Sequence, residues 1–235
     1  MLPEAVAGRF LPPLFMKPLS TTEMAARLDA AFWKPAASPK EFAAFCAEAR
    51  AKKLRAVTVN GSRVALAAAG LEDSDVQLVV LVGFPLGTSD SDVKRYEAEV
   101  AIDFGAQELE LVLNLDHLKN GNHKAALREL HDVIASADER QVCAVLETRA
   151  LTRAEIASAC AMLADAGARV VSTGTDFWPD TRVGVDDVKA LRDALDSKIA
   201  VKAVGNIRDA QAALALIEAG ATRIGTTNPG ALLRG

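Results

Sequence analysis

The chain has 235 residues, of which half are hydrophobic, a quarter are charged and only 5% are aromatic. This apolar content is enough for a buried core and excludes general disorder, while no run approaches the roughly 18 apolar residues of a membrane span. The net charge of −4, with no basic block, argues against a nucleic-acid-binding surface. The amino terminus is not typical of a secretion signal and the three cysteines lie far apart in apolar contexts, so we expect a cytoplasmic protein.

Short apolar runs alternate along the chain with alanine-rich stretches of helical spacing. Such alternation predicts a parallel sheet covered by helices. In chain order, the predicted strands lie in residues 27–33, 57–59, 76–83, 109–114, 142–146, 170–171 and 199–204 and around Ile224.

The ends of the predicted helices carry recognisable signals. Ser20, Ser38 and Thr152 each precede a glutamate by three residues, which predicts a capping box at each helix start. Gly-Ala pairs at residues 105, 167 and 220 predict helix ends in which the glycine is left-handed. The spacing of these pairs gives one strand-helix unit about every 26 to 31 residues. Eight such units fit the chain, which favours a single α/β domain, a (β/α)8 TIM barrel over residues 21–235, after an N-terminal extension at residues 1–20.

In such a barrel the carboxyl ends of the strands build the active site. Lys202 interrupts an apolar strand, so burial is expected to lower the pKa of its amine and free it as a nucleophile or base. Glu110 shares a strand face with Glu108 and Asn114 and needs a cationic partner, for which Lys202 is the candidate. The alternative is structural, with Glu110 as a plain ion-pair partner and Glu108 solvated at the start of its strand.

Two glycine-containing loops follow the last two predicted strands. Gly205 and Asn206 end the seventh strand, and the run Gly225-Thr226-Thr227-Asn228 ends the eighth. Backbone N–H groups in such loops often hold a phosphate, although ordinary turns have the same composition. The three histidines have no ligand-like companions, so we expect no metal site and no cofactor.

At these residues the chain resembles the deoxyribose-phosphate aldolases, a family of class I aldolases on a (β/α)8 barrel. The resemblance runs from about Asp29 to Asn228. Its most specific stretch is Val82-Gly83-Phe84-Pro85-Leu86-Gly87. Further matching stretches are Leu28-Asp29 with Lys34-Pro35, Leu113-Asn114 with Leu118-Lys119-Asn120-Gly121, Glu147-Thr148 with Leu151-Thr152, Val201-Lys202 with Gly205 and Arg208, and Ala219-Gly220-Ala221-Thr222-Arg223-Ile224-Gly225.

The resemblance implies reversible aldol cleavage of 2-deoxyribose 5-phosphate to glyceraldehyde 3-phosphate and acetaldehyde, a reaction of deoxyribonucleotide catabolism, by a protein that is commonly a homodimer. In the family, a lysine on strand six forms a Schiff base with the substrate. A lysine on strand seven and an aspartate on strand four tune it and shuttle protons. Lys202 matches the strand-seven lysine, Glu110 stands at the aspartate, and Asp29 belongs to the opening segment. The two glycine-containing loops, Gly205-Asn206 and Gly225-Thr226-Thr227-Asn228, align with the family's phosphate-binding loops.

The chain departs from the family at the Schiff-base lysine. The family reads Gly-Ala-Asp-Phe-(Val/Ile)-Lys-Thr-Ser-Thr-Gly where this chain has residues 167–176, and without gaps Ser172 replaces the lysine. Shifting the segment to match Ser-Thr-Gly supplies no lysine either. A hydroxyl cannot form an imine, so Lys202 would have to form the Schiff base, with Glu110 and a water near Ser172 moving protons. Two alternatives stay open: a paralogue that binds a phosphorylated or acidic small molecule without aldol chemistry, and another acid–base reaction that uses Lys202 and Glu110.

Overall fold

The computed structural model describes residues 19–178 and 182–234, within which eight parallel strands close into a barrel. Each strand pairs with the next along the chain, and β8 pairs with β1. The predicted (β/α)8 barrel is therefore confirmed, including a first strand before residue 57. The strands are β1 (Leu28–Phe32), β2 (Ala56–Asn60), β3 (Gln77–Val82), β4 (Glu108–Val112), β5 (Gln141–Val145), β6 (Val170–Ser172), β7 (Ala200–Val204) and β8 (Arg223–Thr226).

Helices surround the barrel, and the main apolar core lies between them and the outer face of the strands. Leu28 and Ala30 of β1, for example, face this core, whereas Asp29 between them faces the barrel interior. The helices are α1 (Thr21–Ala25), α2 (Pro39–Ala51), α3 (Val64–Gly70), α4 (Ser91–Asp103), α5 (Leu115–Lys119), α6 (His123–Ser136), α7 (Arg153–Asp165), α8 (Val185–Ala194), α9 (Ala210–Glu218) and α10 (Pro229–Leu232).

Two of the three predicted capping boxes form completely. Ser20 and Thr152 accept from the backbone N–H of Glu23 and Glu155, whose carboxylates bond back to the N–H of the cap residue. At the start of α2 the hydroxyl of Ser38 caps the helix, but the Glu41 carboxylate binds Lys34 at 2.7 Å instead. The prediction of a reciprocal box at Ser38 is therefore wrong, because a nearby cation competes for the glutamate.

The three Gly-Ala pairs end helices as predicted. Gly105, Gly167 and Gly220 have φ values of 102°, 79° and 112°, in the left-handed region. At each, the N–H of the following alanine bonds a carbonyl five residues back, which completes a Schellman motif. Helix α2 ends in the same way at Lys53, whose φ of 50° is unfavourable for a residue other than glycine.

The predicted N-terminal extension lies largely outside what the structure describes. Of the predicted extension at residues 1–20, only residues 19 and 20 belong to the described part, so the division of the chain at residue 20 stays a prediction.

The three cysteines are buried and free. Within residues 19–178 and 182–234, no helix combines the length and the apolar character that crossing a membrane requires.

Candidate active site

The Lys202 side chain lies inside the barrel, where it touches acids from two other strands. Its Nζ is 2.8 Å from Asp29 Oδ2 and also forms an ion pair with Glu110 Oε1. Glu110 additionally accepts a hydrogen bond of 3.3 Å from the hydroxyl of Thr58. All four side chains are buried, and strands β1, β2, β4 and β7 supply one each. The predicted pairing of Lys202 with Glu110 is therefore present in the structure.

The expected effect of burial on the amine is reversed by its partners. Burial alone lowers the pKa of Lys202, but the charges of Asp29 and then Glu110 outweigh it and raise the pKa above the ordinary lysine value. Burial likewise opposes ionisation of Asp29, yet Lys202 and Arg55 lower the pKa of its carboxyl. The prediction that burial frees the Lys202 amine is wrong, since the resting side chain is an ammonium held by two carboxylates.

The ion pairs continue below this layer towards the amino-terminal end of the barrel. Arg55 binds Asp29 through two N–H groups and reaches Glu108 Oε2 at 3.1 Å. Arg223 binds the other oxygen of Glu108 at 2.6 Å and Gln141 Oε1 at 3.0 Å. Glu108 is buried, so the alternative that placed it in solvent is wrong. Three cations and three carboxylates thus form one neutral column, which we call the ionic column: Arg55, Lys202, Arg223, Asp29, Glu108 and Glu110.

Ser172 lies beside Lys202 on the neighbouring strand but does not join the ionic column. The two residues are directly paired in the β6–β7 register, and Ser172 is fully buried. Its hydroxyl donates to the carbonyl oxygen of Gly174 at 3.2 Å, within the loop that follows β6. Strand β6 carries no lysine, so no second amine stands next to Lys202 at this level of the barrel.

An acid from the β6 loop contacts the first of the predicted phosphate loops. Asp176 Oδ1 accepts the backbone N–H of Asn206 at 2.5 Å, and Asn206 Oδ1 in turn accepts from Arg208 Nε at 3.0 Å. Burial raises the pKa of Asp176, while the Asn206 N–H counteracts part of that rise. The loop after β7 therefore already holds an anionic group from its own chain. No motif in the sequence predicts this contact.

The second predicted phosphate loop is divided between two places. Gly225 and Thr226 line the barrel mouth together with Lys202. A Cβ on Gly225 would lie 2.6 Å from Val204 Cγ2 and 2.9 Å from Lys202 Cε, so the lysine fits only against a glycine. Thr227 and Asn228 line a separate cleft beside α2 and α10, and the Asn228 side chain caps α10.

Three successive loops at the mouth each contain a residue with left-handed backbone. Glu147, Asp176 and Asn206 follow β5, β6 and β7 with φ values of 52°, 61° and 46°. Left-handed backbone is unfavourable for residues other than glycine and often marks functional sites. The buried Glu147 carboxylate accepts both the N–H and the hydroxyl of Thr175. Burial raises the pKa of Glu147, and these two hydrogen bonds lower it in part.

An aromatic cluster covers one side of the mouth. Trp33, Phe84, Phe177 and Trp178 make successive ring contacts, with centroids 5.6 to 6.1 Å apart. Trp33 also lines the mouth cavity, and its buried Nε1–H has no hydrogen-bond partner in the described chain. No sequence pattern assigns these side chains to the site, because they come from three separate stretches of the chain, around residues 33, 84 and 177.

The mouth cavity itself is small. It measures about 20 Å³, room for about one water molecule, and Thr58, Glu110, Asp176, Lys202 and Trp33 are among its lining residues. Across the described residues, no group of three or more His, Cys, Asp or Glu side chains is placed to hold a metal ion. The polar side chains that line the mouth cavity include the amine of Lys202, the carboxylates of Glu110 and Asp176, and the hydroxyl of Thr58.

The chain is similar, in sequence and in structure, to known aldolases. A curated deoxyribose-phosphate aldolase from Natranaerobius thermophilus is 41% identical over 195 residues, which cover 83% of this chain and 88% of the relative. This chain belongs to the deoxyribose-phosphate aldolase family. No protein-family model matches the chain.

Solved structures agree with this membership. QR15, an aldolase, is 33% identical with a TM-score of 0.85, covering 89% of this chain and 94% of its own. A deoxyribose phosphate aldolase from Aeropyrum pernix, described as a unique tetramer, is 26% identical with a TM-score of 0.84 and 91% coverage of both chains. In this chain, the Gly83–Gly87 stretch carries Phe84 against Trp33, which lines the mouth cavity.

Proposed function

We propose that this protein breaks and forms a carbon–carbon bond of 2-deoxyribose 5-phosphate, or of the same sugar without its phosphate, with Lys202 as the Schiff-base amine. The observation that carries the proposal is the position of Lys202. It is the only lysine among the described residues that line the mouth cavity, and its amine touches the acid Glu110. The names of the relatives supply the reaction.

Lys202 must lose a proton before it can react. Transfer of that proton to Glu110 leaves the net charge of the ionic column unchanged, so no new charge is buried. The neutral amine then adds to the aldehyde carbon C1, and Glu110 returns the proton to the departing oxygen, which leaves as water. The resulting iminium takes the electron pair of the C2–C3 bond while Glu110 accepts the proton of the C3 hydroxyl.

The backbone at Asp176 supports Ser172 as the replacement of the family lysine. Without gaps, the closing glycine of the family motif falls on Asp176, whose φ of 61° is one that glycine adopts freely. In the shifted alignment that glycine falls on Gly174, which is not left-handed. The strained aspartate is thus most simply explained as standing at a glycine position, with Ser172 four residues before it.

Borohydride trapping tests the proposal. We expect reduction in the presence of 2-deoxyribose 5-phosphate or 2-deoxyribose to leave a covalent adduct on the Lys202 peptide, read by mass spectrometry. Lys202→Met is expected to abolish both the adduct and acetaldehyde release, whereas the exposed Lys34→Met is the matched control and keeps both. Because the Lys202 proton passes to Glu110 and not to solvent, kcat/KM should change little with pH across neutrality, even though the pKa of Lys202 is raised.

A second candidate function has one observation in its favour. The two ion pairs hold Lys202 as an ammonium, which suits an acid–base reaction with Glu110 in which no imine forms. Acetaldehyde release without an adduct on any lysine would support that mechanism. No turnover of either sugar, combined with a ligand-induced rise in melting temperature, would instead indicate a paralogue that only binds small molecules. The cytoplasmic location and the homodimer stay predictions.

A further inference from the structure

The Asp176 carboxylate already accepts a hydrogen bond from a backbone N–H that would otherwise be available to a substrate phosphate. Its Oδ1 lies 2.5 Å from the Asn206 nitrogen, and the residue lines the mouth cavity together with Lys202. Backbone N–H groups bind phosphate oxygens because each offers a partial positive charge to an anion. In this chain the Asn206 N–H already donates to the Asp176 carboxylate, which belongs to the neighbouring loop.

The Asp176 carboxylate has no cationic partner of its own. Among the described residues, no lysine, arginine or histidine forms an ion pair with Asp176, and the Arg208 guanidinium binds the Asn206 side chain instead. The nearby Glu147 is raised in pKa partly by the charge of Asp176, so the two acids already repel one another. A phosphate entering beside Asp176 would meet like charge in a partly desolvated site, and such contacts are unfavourable.

The aromatic part of the mouth suits an uncharged ligand. Trp33 lines the mouth cavity and packs against Phe84 and Phe177, and such ring surfaces bind apolar or weakly polar groups. The one free donor among them is the buried Trp33 Nε1–H. A buried donor without a partner is unfavourable, and a neutral hydroxyl or carbonyl oxygen of a ligand would accept its hydrogen bond.

We propose that Asp176 is a specificity-determining residue, which makes this mouth select hydroxy aldehydes whose far end carries no phosphate. The proposal rests on the proposed aldol function for its reaction and names the substrate class of the same site. Trp33 donates to a neutral oxygen of that substrate, and Asp176 excludes the phosphorylated counterpart by occupying the Asn206 N–H and by its charge.

The test compares two sugars that share their reacting carbons. We expect the wild type to cleave 2-deoxyribose with a higher kcat/KM than 2-deoxyribose 5-phosphate. Asp176→Gly, which suits the left-handed backbone and frees the N–H, is expected to shift that ratio about tenfold or more towards the phosphorylated sugar. Asp176→Asn removes the charge but keeps an acceptor oxygen, so it should shift the ratio less. Asp165→Asn removes an exposed acid at the end of α7 and should leave the ratio unchanged.

A binding measurement separates this proposal from the aldol function. Inorganic phosphate, titrated calorimetrically, should bind Asp176→Gly more tightly than the wild type by a similar factor. A wild type that prefers the phosphorylated sugar, or an Asp176→Gly variant with unchanged preference and unchanged phosphate binding, would overturn the proposal. If neither sugar reacts, the aldol function fails and the phosphate titration alone decides. If Asp176→Gly does not fold, Asp176→Asn decides by the same two readouts.

Discussion

The charge of the Lys202 side chain depends on two neighbouring carboxylates. Its amine is nearly inaccessible to solvent, and Asp29 and Glu110 supply the charges that keep it ionised. Asp29 is also bound by Arg55, whereas the partners of Glu110 in the described part of the chain are Lys202 and the hydroxyl of Thr58. Loss of Lys202 would therefore leave Glu110 as the less compensated of the two acids.

We expect Lys202→Met to lower the free energy of unfolding by about 3 to 5 kcal/mol, because it leaves buried charge unpaired. The double variant Lys202→Met/Glu110→Met removes both partners and should recover part of that loss. The exposed Lys34–Glu41 pair gives the control, since Lys34→Met should cost no more than about 1 kcal/mol. Urea unfolding of the four proteins measures this, and a double variant no more stable than Lys202→Met would contradict the pairing.

At the scale of elements, the same helix ending occurs with and without glycine. Helices α4, α7 and α9 end at Gly105, Gly167 and Gly220, whereas α2 ends at Lys53 with the same hydrogen bonds. A Cβ added at Gly167 would meet nothing within 4 Å, so only its backbone conformation opposes substitution there. The pair Lys53 and Gly167 therefore isolates the backbone contribution to a helix end.

We expect opposite effects from exchanging residue types at these two positions. Gly167→Ala should lower the free energy of unfolding by about 1 kcal/mol, and Lys53→Gly should raise it by about 0.5 kcal/mol. Both effects arise from the left-handed φ, which alanine and lysine tolerate poorly. Thermal and denaturant unfolding measure the two changes, and equal signs would show that side-chain contacts dominate instead.

The loops and helix ends also show where sequence patterns are sufficient. The Gly-Ala pairs predict three helix ends correctly because the glycine requirement is local. The pairing of Lys202 with Glu110 is predictable because each is a charged residue in the middle of a largely apolar strand. The link from Asp176 to Asn206 is not, since neither loop has a period that fixes its side chains. The sign of the Lys202 pKa shift depends on the 2.8 Å approach of Asp29, which comes from a strand 173 residues away and carries no pairing signal.

The molecule as a whole has a core outside its strands and an ionic column inside them. Apolar residues fill the space between strands and helices, whereas the interior holds the charged groups Arg55, Glu108, Arg223 and the Lys202 layer beside apolar side chains such as Leu81. Glu108 and Arg223 stand at the first residue of their strands, and Arg55 directly precedes β2, where a charged residue is usually solvated. Closure of the barrel brings them together, so their burial follows only from the complete fold.

Global stability should depend on pH through buried acids outside this column. The pKa of Glu147 is raised, so the folded protein keeps this proton at a pH where the unfolded chain has released it. Wild-type stability therefore falls as pH rises from about 4.3 to the raised pKa. Glu147→Gln keeps an acceptor for Thr175 and has no proton to lose, so it should gain stability over the wild type across that window and match it at lower pH.

Glu155 provides the control of opposite sign for the same unfolding series. Its pKa is lowered, first by the backbone N–H of Thr152 and then by Lys119. This acid therefore stabilises the folded state above the ordinary carboxyl pKa, and that contribution is lost as pH falls through the lowered value. Glu155→Gln should be less stable than the wild type near neutrality and equal to it in acid. A Glu147→Gln curve of the same shape would contradict the buried-acid interpretation.

The aromatic cluster gives this chain a built-in optical reporter. The sequence contains two tryptophans, Trp33 and Trp178, and both belong to that cluster. All intrinsic indole fluorescence of the protein therefore originates beside the barrel opening. Any molecule that enters there perturbs the emitting rings directly, so occupancy can be followed without a label, a coupled assay or turnover.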